Sequence, residues 1–99
     1  MTRQTLKGYK GLKIKLEKIE NQLCINGFTP ELISQRRKLL NRMKPIERFI
    51  NECEDPVASV IMRHKYLEGL TWQQTAMRIG GNISADGCRM IVNRILKKF

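Results

Sequence analysis

Apolar residues recur along this chain at helical spacing, and a few turn signals interrupt the recurrence. Leu12, Leu16, Ile19 and Leu23 are spaced four, three, four, which is one seam of a helix. Lys13, Lys15, Glu17, Lys18 and Glu20 fill its other faces, and Ile14 lies off the seam. Residues 1–10 are polar and basic, and Gly8 and Gly11 weaken a helix there. The pattern therefore predicts a helix starting near Leu6 or Gly11 and running to about Cys24. Asn26-Gly27 stops it, because both residues tolerate positive φ.

A second helix restarts at Thr29-Pro30-Glu31, with Thr as N-cap, Pro at the first helical position and an acid in the first turn. Leu39, Met43, Ile46 and Ile50 repeat the four, three, four spacing over 31–53. Pro45 lies inside this run. It lacks an N–H and clashes with the carbonyl of Asn41, so a kink or a restart is expected there. Two narrow stripes joined by a short link can pack on each other as a helical hairpin, or remain extended and pair across a dimer. Arg36-Arg37-Lys38 reads as a solvated face, with phosphate contact as the alternative.

The last third, 55–99, reads as three short helices. Asp55-Pro56 is a start signal, and Val57, Val60, Ile61, Tyr66 and Leu67 supply the expected apolar face up to Gly69, a left-handed cap. Thr71-Trp72-Gln73-Gln74 is a capping box that opens a helix ending at Ile79, with Ala76 and Ile79 inward. Trp72 reads as a core plug or as a partly exposed face beside a bound duplex. Stacking on flipped bases lacks partner aromatics. After Gly80-Gly81-Asn82-Ile83, Ser84 caps a final helix with Asp86 in its first turn. Cys88, Ile91, Ile95 and Phe99, helped by Val92 and Leu96, form its buried stripe. Ala85, Arg89, Met90, Asn93, Arg94 and Lys97 take the other face.

Charge changes this picture from a helical scaffold to a polyanion binder. The 99 residues carry 19 Lys and Arg against 9 Asp and Glu, a net charge of +10. The excess is spread over both halves. Such a balance favours a polyanionic partner, because each neutralised phosphate releases condensed counterion. A chain of this length forms one domain or a small domain with a helical extension, and self-association would help its stability. We divide it into a basic helical region, 1–54, suited to oligomerisation, and a helix-turn-helix module, 55–99.

The remaining chemistry is sparse. Cys24, Cys53 and Cys88 are widely spaced, and His64 is the single histidine, so no zinc set assembles and no metal or cofactor is expected. Three reduced thiols, no apolar run of membrane-spanning length and no signal region predict a cytoplasmic protein with no membrane partner. With no Ser/His/Asp set, no Gly-rich phosphate loop after a strand and no paired acids in an apolar setting, no enzyme is expected. Arg89 and Asn93 are four apart on one helical face. Arg suits the guanine acceptors and Asn suits adenine, while Lys97 and Lys98 lie beyond, better placed for phosphate.

Tyr66-Leu67-Glu68-Gly69-Leu70-Thr71-Trp72-Gln73-Gln74-Thr75-Ala76 with Gly80, then Ser84, Arg89, Ile91, Arg94, Leu96 and Lys98, resembles region four of bacterial sigma factors. The match covers roughly 55–99. Gln73 and Gln74 stand where that pattern has acids, Thr75 stands where it has Ile, and the turn at 80–83 is about two residues longer. The overall layout is similar to small phage-encoded transcriptional regulators of the ArpU and RinA kind. The resemblance implies that the last helix is a recognition helix, with Ala85, Asp86, Arg89, Met90 and Asn93 toward the bases. Thr71, Gln73, Ser84, Arg94 and Lys97 would approach the DNA backbone. Asp86 in the groove would accept from a cytosine amino group. Gly87 departs from the usual long polar residue, leaving a gap at one base or allowing close backbone approach.

These readings converge on an all-α protein that binds double-stranded DNA in a sequence-specific way as a transcription regulator encoded by a phage or prophage. Two alternatives stand beside it. One is a packaging protein like a phage terminase small subunit. The other is a sigma-like adaptor that binds RNA polymerase. The chain is compatible with a homodimer or higher oligomer, and a ring-sized oligomer is the mark of the packaging alternative.

Overall fold

The computed structural model describes residues 1–98, and within them the chain is all-helical. Helix α1 spans Arg3–Asn26 and α2 spans Pro30–Asn51. Helix α3, Pro56–Met62, runs into a π-helical segment, Arg63–Leu67. Helices α4, Trp72–Ile79, and α5, Ala85–Leu96, complete the chain. Among the described residues no helix is long and apolar enough to cross a membrane.

Helix α1 begins earlier than its glycines suggest. The Thr2 hydroxyl accepts from Thr5 N–H at 3.1 Å and caps the first turn. Leu6, Tyr9 and Leu12 then bury one face of that turn, and burial outweighs the intrinsic cost of Gly8 and Gly11. The helix stops at Gly27, whose φ of 82° only glycine adopts readily. Helix α2 starts at the Thr29 cap and Pro30, as its sequence predicts. It continues through Pro45 as one element and does not restart there. Met43, Ile46 and Ile50 on either side of the proline are all buried, so packing holds the helix together where one backbone hydrogen bond is missing.

Helices α1 and α2 pack along each other. Tyr9 meets Glu47 near one end, its hydroxyl donating to the carboxylate at 2.7 Å. Arg36 meets Glu20 near the other at 3.6 Å, an exposed pair of little energetic weight. The far end, around the 27–29 link, leaves Ile25 and Phe28 exposed. The molecule is correspondingly long, with extents of 49 × 26 × 19 Å.

The link from α2 to α3 is tightly determined. Asp55 accepts from Val57 and Ala58 N–H at 3.0 and 3.2 Å, and the buried Ser59 hydroxyl donates to the Ile50 carbonyl at 2.7 Å. The apolar face of α3 differs from the expected one. Val57 and Val60 are 47% and 40% exposed, whereas Ala58, Ile61 and Met62 are fully buried. The Ser59–Ile50 bond lies on the same inward side as the smaller Ala58 and is consistent with this rotation. Beyond Met62 the helix widens: Glu68 N–H reaches the Arg63 carbonyl at 3.0 Å, a five-residue step. Gly69, with φ 78°, ends the segment.

Both C-terminal helices start as the sequence predicts. Thr71 and Gln74 form the reciprocal capping box at 3.1 and 3.0 Å, and the Ser84 hydroxyl accepts from Gly87 N–H at 3.0 Å. On α5, Cys88, Val92 and Ile95 are buried, with Ile91 and Leu96 half-buried beside them. Phe99, expected to extend this stripe, lies outside the described residues.

One hydrophobic cluster joins all of these elements. It runs from Leu6, Tyr9 and Leu12 through Met43, Ile46 and Ile50 to Ile61, Met62, Tyr66, Ala76, Cys88 and Val92. It therefore spans position 54/55. The first turns of α1 also pack on the π segment, and Lys13 donates from Nζ to the Leu67 carbonyl at 3.3 Å.

Three stability measurements follow. Leu6→Ala removes a side chain with 0% exposure and should cost ~2–5 kcal/mol in urea unfolding, with Ile25→Ala, 81% exposed, within about 0.5 kcal/mol of wild type. A Cβ added at Gly8 or Gly11 meets nothing within 4 Å, so Gly11→Ala should raise stability by about 0.5–1 kcal/mol. Burial, then the Glu47 hydrogen bond and charge, push the Tyr9 phenol up from 10.0 to about 12. The neutral phenol is thus favoured by folding. Its contribution is complete below pH 10 and is lost as pH rises from 10 through 12. Spectrophotometric titration should show a step near 12 that Tyr9→Phe abolishes.

Candidate nucleic-acid interface

Of the predicted base-reading residues, Asp86, Arg89 and Met90 fall on the exposed side of α5, and Ala85 and Asn93 are half-buried. The anchor of the helix is apolar, because Cys88 and Val92 are both fully buried. Burial also pushes the Cys88 thiol above its usual range, which keeps it protonated, and all three cysteines are free. On the opposite side Asp86 and Arg89 are exposed, and Met90 is 65% exposed. Arg89 lies 3.6 Å from Asp86 one turn back. An exposed pair of this kind is weak and releases its arginine at little cost. Ala85 is half-buried at the first helical position.

Asn93, one turn on from Arg89, is the less exposed of the two. It is half-buried and lines a hollow together with Met1, Thr2, Arg3, Leu96 and Lys97, beside the start of α1. Of the predicted backbone-contacting residues, Thr71, Gln73, Ser84, Arg94 and Lys97 are all exposed. The Thr71 and Ser84 hydroxyls already accept backbone N–H groups as helix caps. Each retains its own proton to donate outward. Gly87 has a local reason. A Cβ there would come within 3.3 Å of the capping Ser84 oxygen and 3.4 Å of Ile83, so the residue keeps the cap tight.

The structure adds residues that the sequence pattern did not single out. A cleft of about 530 Å³ opens between the first turns of α1, the π segment and α5. Arg3, Lys7 and Lys10 border it from α1, Lys65 from the π segment and Arg89 from α5. Leu6, Tyr66 and Trp72 form its apolar floor, and no acidic residue lines it. Arg3, Lys7 and Lys10 sit at a spacing of four and three on one face of α1, a signal visible in the sequence. What the sequence did not disclose is that this face meets Lys65 and Arg89.

Trp72 organises the cleft. Its ring meets Tyr66 edge to face, with centroids 6.2 Å apart. Lys65 Nζ lies 5.2 Å and Arg89 Cζ 5.9 Å from the Trp72 centroid, both within cation–π range. The ring is therefore half-buried and holds two cations in place. Partial burial, with Lys7, Lys10 and Arg89 nearby, holds the Lys65 ammonium below its usual range. Burial also pushes the Tyr66 phenol up, opposed by the Arg3 guanidinium facing it. The Lys65 shift reflects burial first and the neighbouring cations second, and the Tyr66 shift reflects burial.

Other chemistry is thin. Among the described residues no group of three or more His, Cys, Asp or Glu could hold a metal ion. His64 pairs through Nδ1 with Glu68 on the outer side of the π segment. No protein-family model matches the chain, and neither a curated protein nor a solved structure matches it significantly.

Proposed function

We propose that this protein is a sequence-specific double-stranded DNA-binding transcription regulator that lays α5 in the major groove. In this reading α3 to α5 form a helix-turn-helix of the sigma region-four type, and α1 with α2 forms a helical hairpin beside it. The observation that carries the reading is the two-sidedness of α5. One face is sunk in the core through Cys88 and Val92, and the other offers Asp86, Arg89 and Met90 to solvent. A helix so anchored has the width and rigidity to enter a groove about 12 Å wide. Arg89 is the side chain suited to the paired acceptors of guanine, and Met90 supplies apolar contact of the kind a thymine methyl accepts.

The charge distribution supports the same reading. The exposed Arg94 and Lys97 continue the α5 face, and the α1 cations border it across the cleft. Their attraction for phosphate is independent of sequence and strongly weakened by salt. The half-buried Asn93 contributes less to base reading than its spacing from Arg89 suggests. Binding, in this reading, is the whole activity and involves no catalytic step.

Selection of bound sites from random duplex, followed by titration of the selected site, tests the proposal. Arg89→Ala should cost ~1–3 kcal/mol on that site and relax its base preference. Lys97→Ala should weaken all duplexes alike and lower the salt slope by about 1. Equal binding of the selected duplex by Arg89→Ala and wild type would remove Arg89 from base reading. Failure of wild type to enrich any site would remove sequence-specific recognition altogether.

A further inference from the structure

We infer that the cleft between α1 and α5 is a phosphate-binding site, able to take two or more linked phosphate groups, that adjoins the base-reading face of α5 and shares Arg89 with it. Five cations from three separate elements, Arg3, Lys7, Lys10, Lys65 and Arg89, converge on about 530 Å³ of concave space with no acid in its lining. A solvated basic face spreads its charges outward, because mutual repulsion favours separation. Here the fold draws them together over an apolar floor, which concentrates the field and favours an incoming anion. Trp72 keeps Lys65 and Arg89 at 5.2 and 5.9 Å from its centroid, so two of the five are positioned before any ligand arrives. Lys65, with its ordinary affinity for a proton lowered by burial and by its cationic neighbours, has that burden relieved when an anion enters.

The linked phosphates can come from a nucleic-acid backbone or from a free oligophosphate. The backbone source rests on the function proposed above, and the site itself does not. With the backbone as source, α1 is a second arm of the interface that grips the strand flanking the groove occupied by α5.

The test uses Trp72, the single tryptophan, as a built-in reporter of the cleft. Inorganic tripolyphosphate is titrated into wild type, into Lys7→Gln/Lys10→Gln, and into the charge-matched control Lys38→Gln/Lys44→Gln, whose positions lie outside the cleft. All four lysines are exposed, so circular dichroism should confirm an unchanged fold. The expected result is a saturable change in Trp72 emission for wild type and control, with affinity reduced at least about tenfold in the cleft variant. In parallel, the salt slope of duplex binding is measured for all three. A slope lower by about 2 in the cleft variant alone identifies the nucleic-acid backbone as a source. A lost tripolyphosphate response with an unchanged slope identifies the free oligophosphate. No saturable response in wild type together with an unchanged slope overturns the site. Equal losses in the cleft and control variants also overturn it, because bulk charge then explains the binding. If wild type binds no duplex, the proposed function fails while the tripolyphosphate titration still decides the cleft.

Discussion

The packing of the N-terminal end of α1 on the π segment, with Leu6 and Tyr9 in the common core, is the constraint on which the rest of this molecule depends. Their positions in the first two turns of α1 merge the stripe of the long helix with the core of the C-terminal elements. Without this contact, α1 and α2 would carry only a narrow seam of their own and an exposed tip. With it, Arg3, Lys7 and Lys10 are carried on the solvent side of a packed helix to the mouth of the cleft. The same helical geometry that buries positions 6 and 9 places positions 3, 7 and 10 along the cleft.

The C-terminal elements are arranged around a second requirement, the exposure of one face of α5. Cys88, Val92 and Ile95 bury the opposite face, and α4 is braced by its capping box and by Ala76 in the crossing. The π segment serves both requirements. Its extra residue per turn sets Tyr66 into the core while placing Lys65 against Trp72. An isolated π turn inside an α-helix is seldom favoured by local energetics, and it persists where tertiary contacts reward it. Here those contacts are the Tyr66–Trp72 edge-to-face pair and the hold of Lys13 on the Leu67 carbonyl.

Much of the fold was legible in the sequence because helix starts are local chemistry. Thr29-Pro30, Asp55-Pro56, Thr71 with Gln74, and Ser84 each satisfy their own backbone donors, and each opens a helix where expected. The Leu39, Met43, Ile46, Ile50 stripe is buried as its spacing implies. What eluded the sequence was decided by distant partners. The early start of α1 depends on where Leu6 packs, and the passage of α2 through Pro45 depends on Met43, Ile46 and Ile50. The burial of Ala58 in place of Val57 accompanies a hydrogen bond from Ser59 to the Ile50 carbonyl, nine residues back. Of the site, the outward face at Arg89 and Met90 was legible from periodicity. The half-burial of Asn93 and the meeting of residues 3–10 with 65 and 89 were not, since both follow from the path of the chain in space.

The proposed function and the proposed phosphate site together place a duplex against the outer face of α5 and the cleft that it shares with α1. Amide chemical shifts mapped during titration with a selected duplex test this most directly. The predicted result is a set of perturbations confined to 84–97, Lys65, the Trp72 indole N–H and the first ten residues of α1, with the tip at 25–33 unmoved. Perturbations centred on that tip, or none along α5, would contradict it.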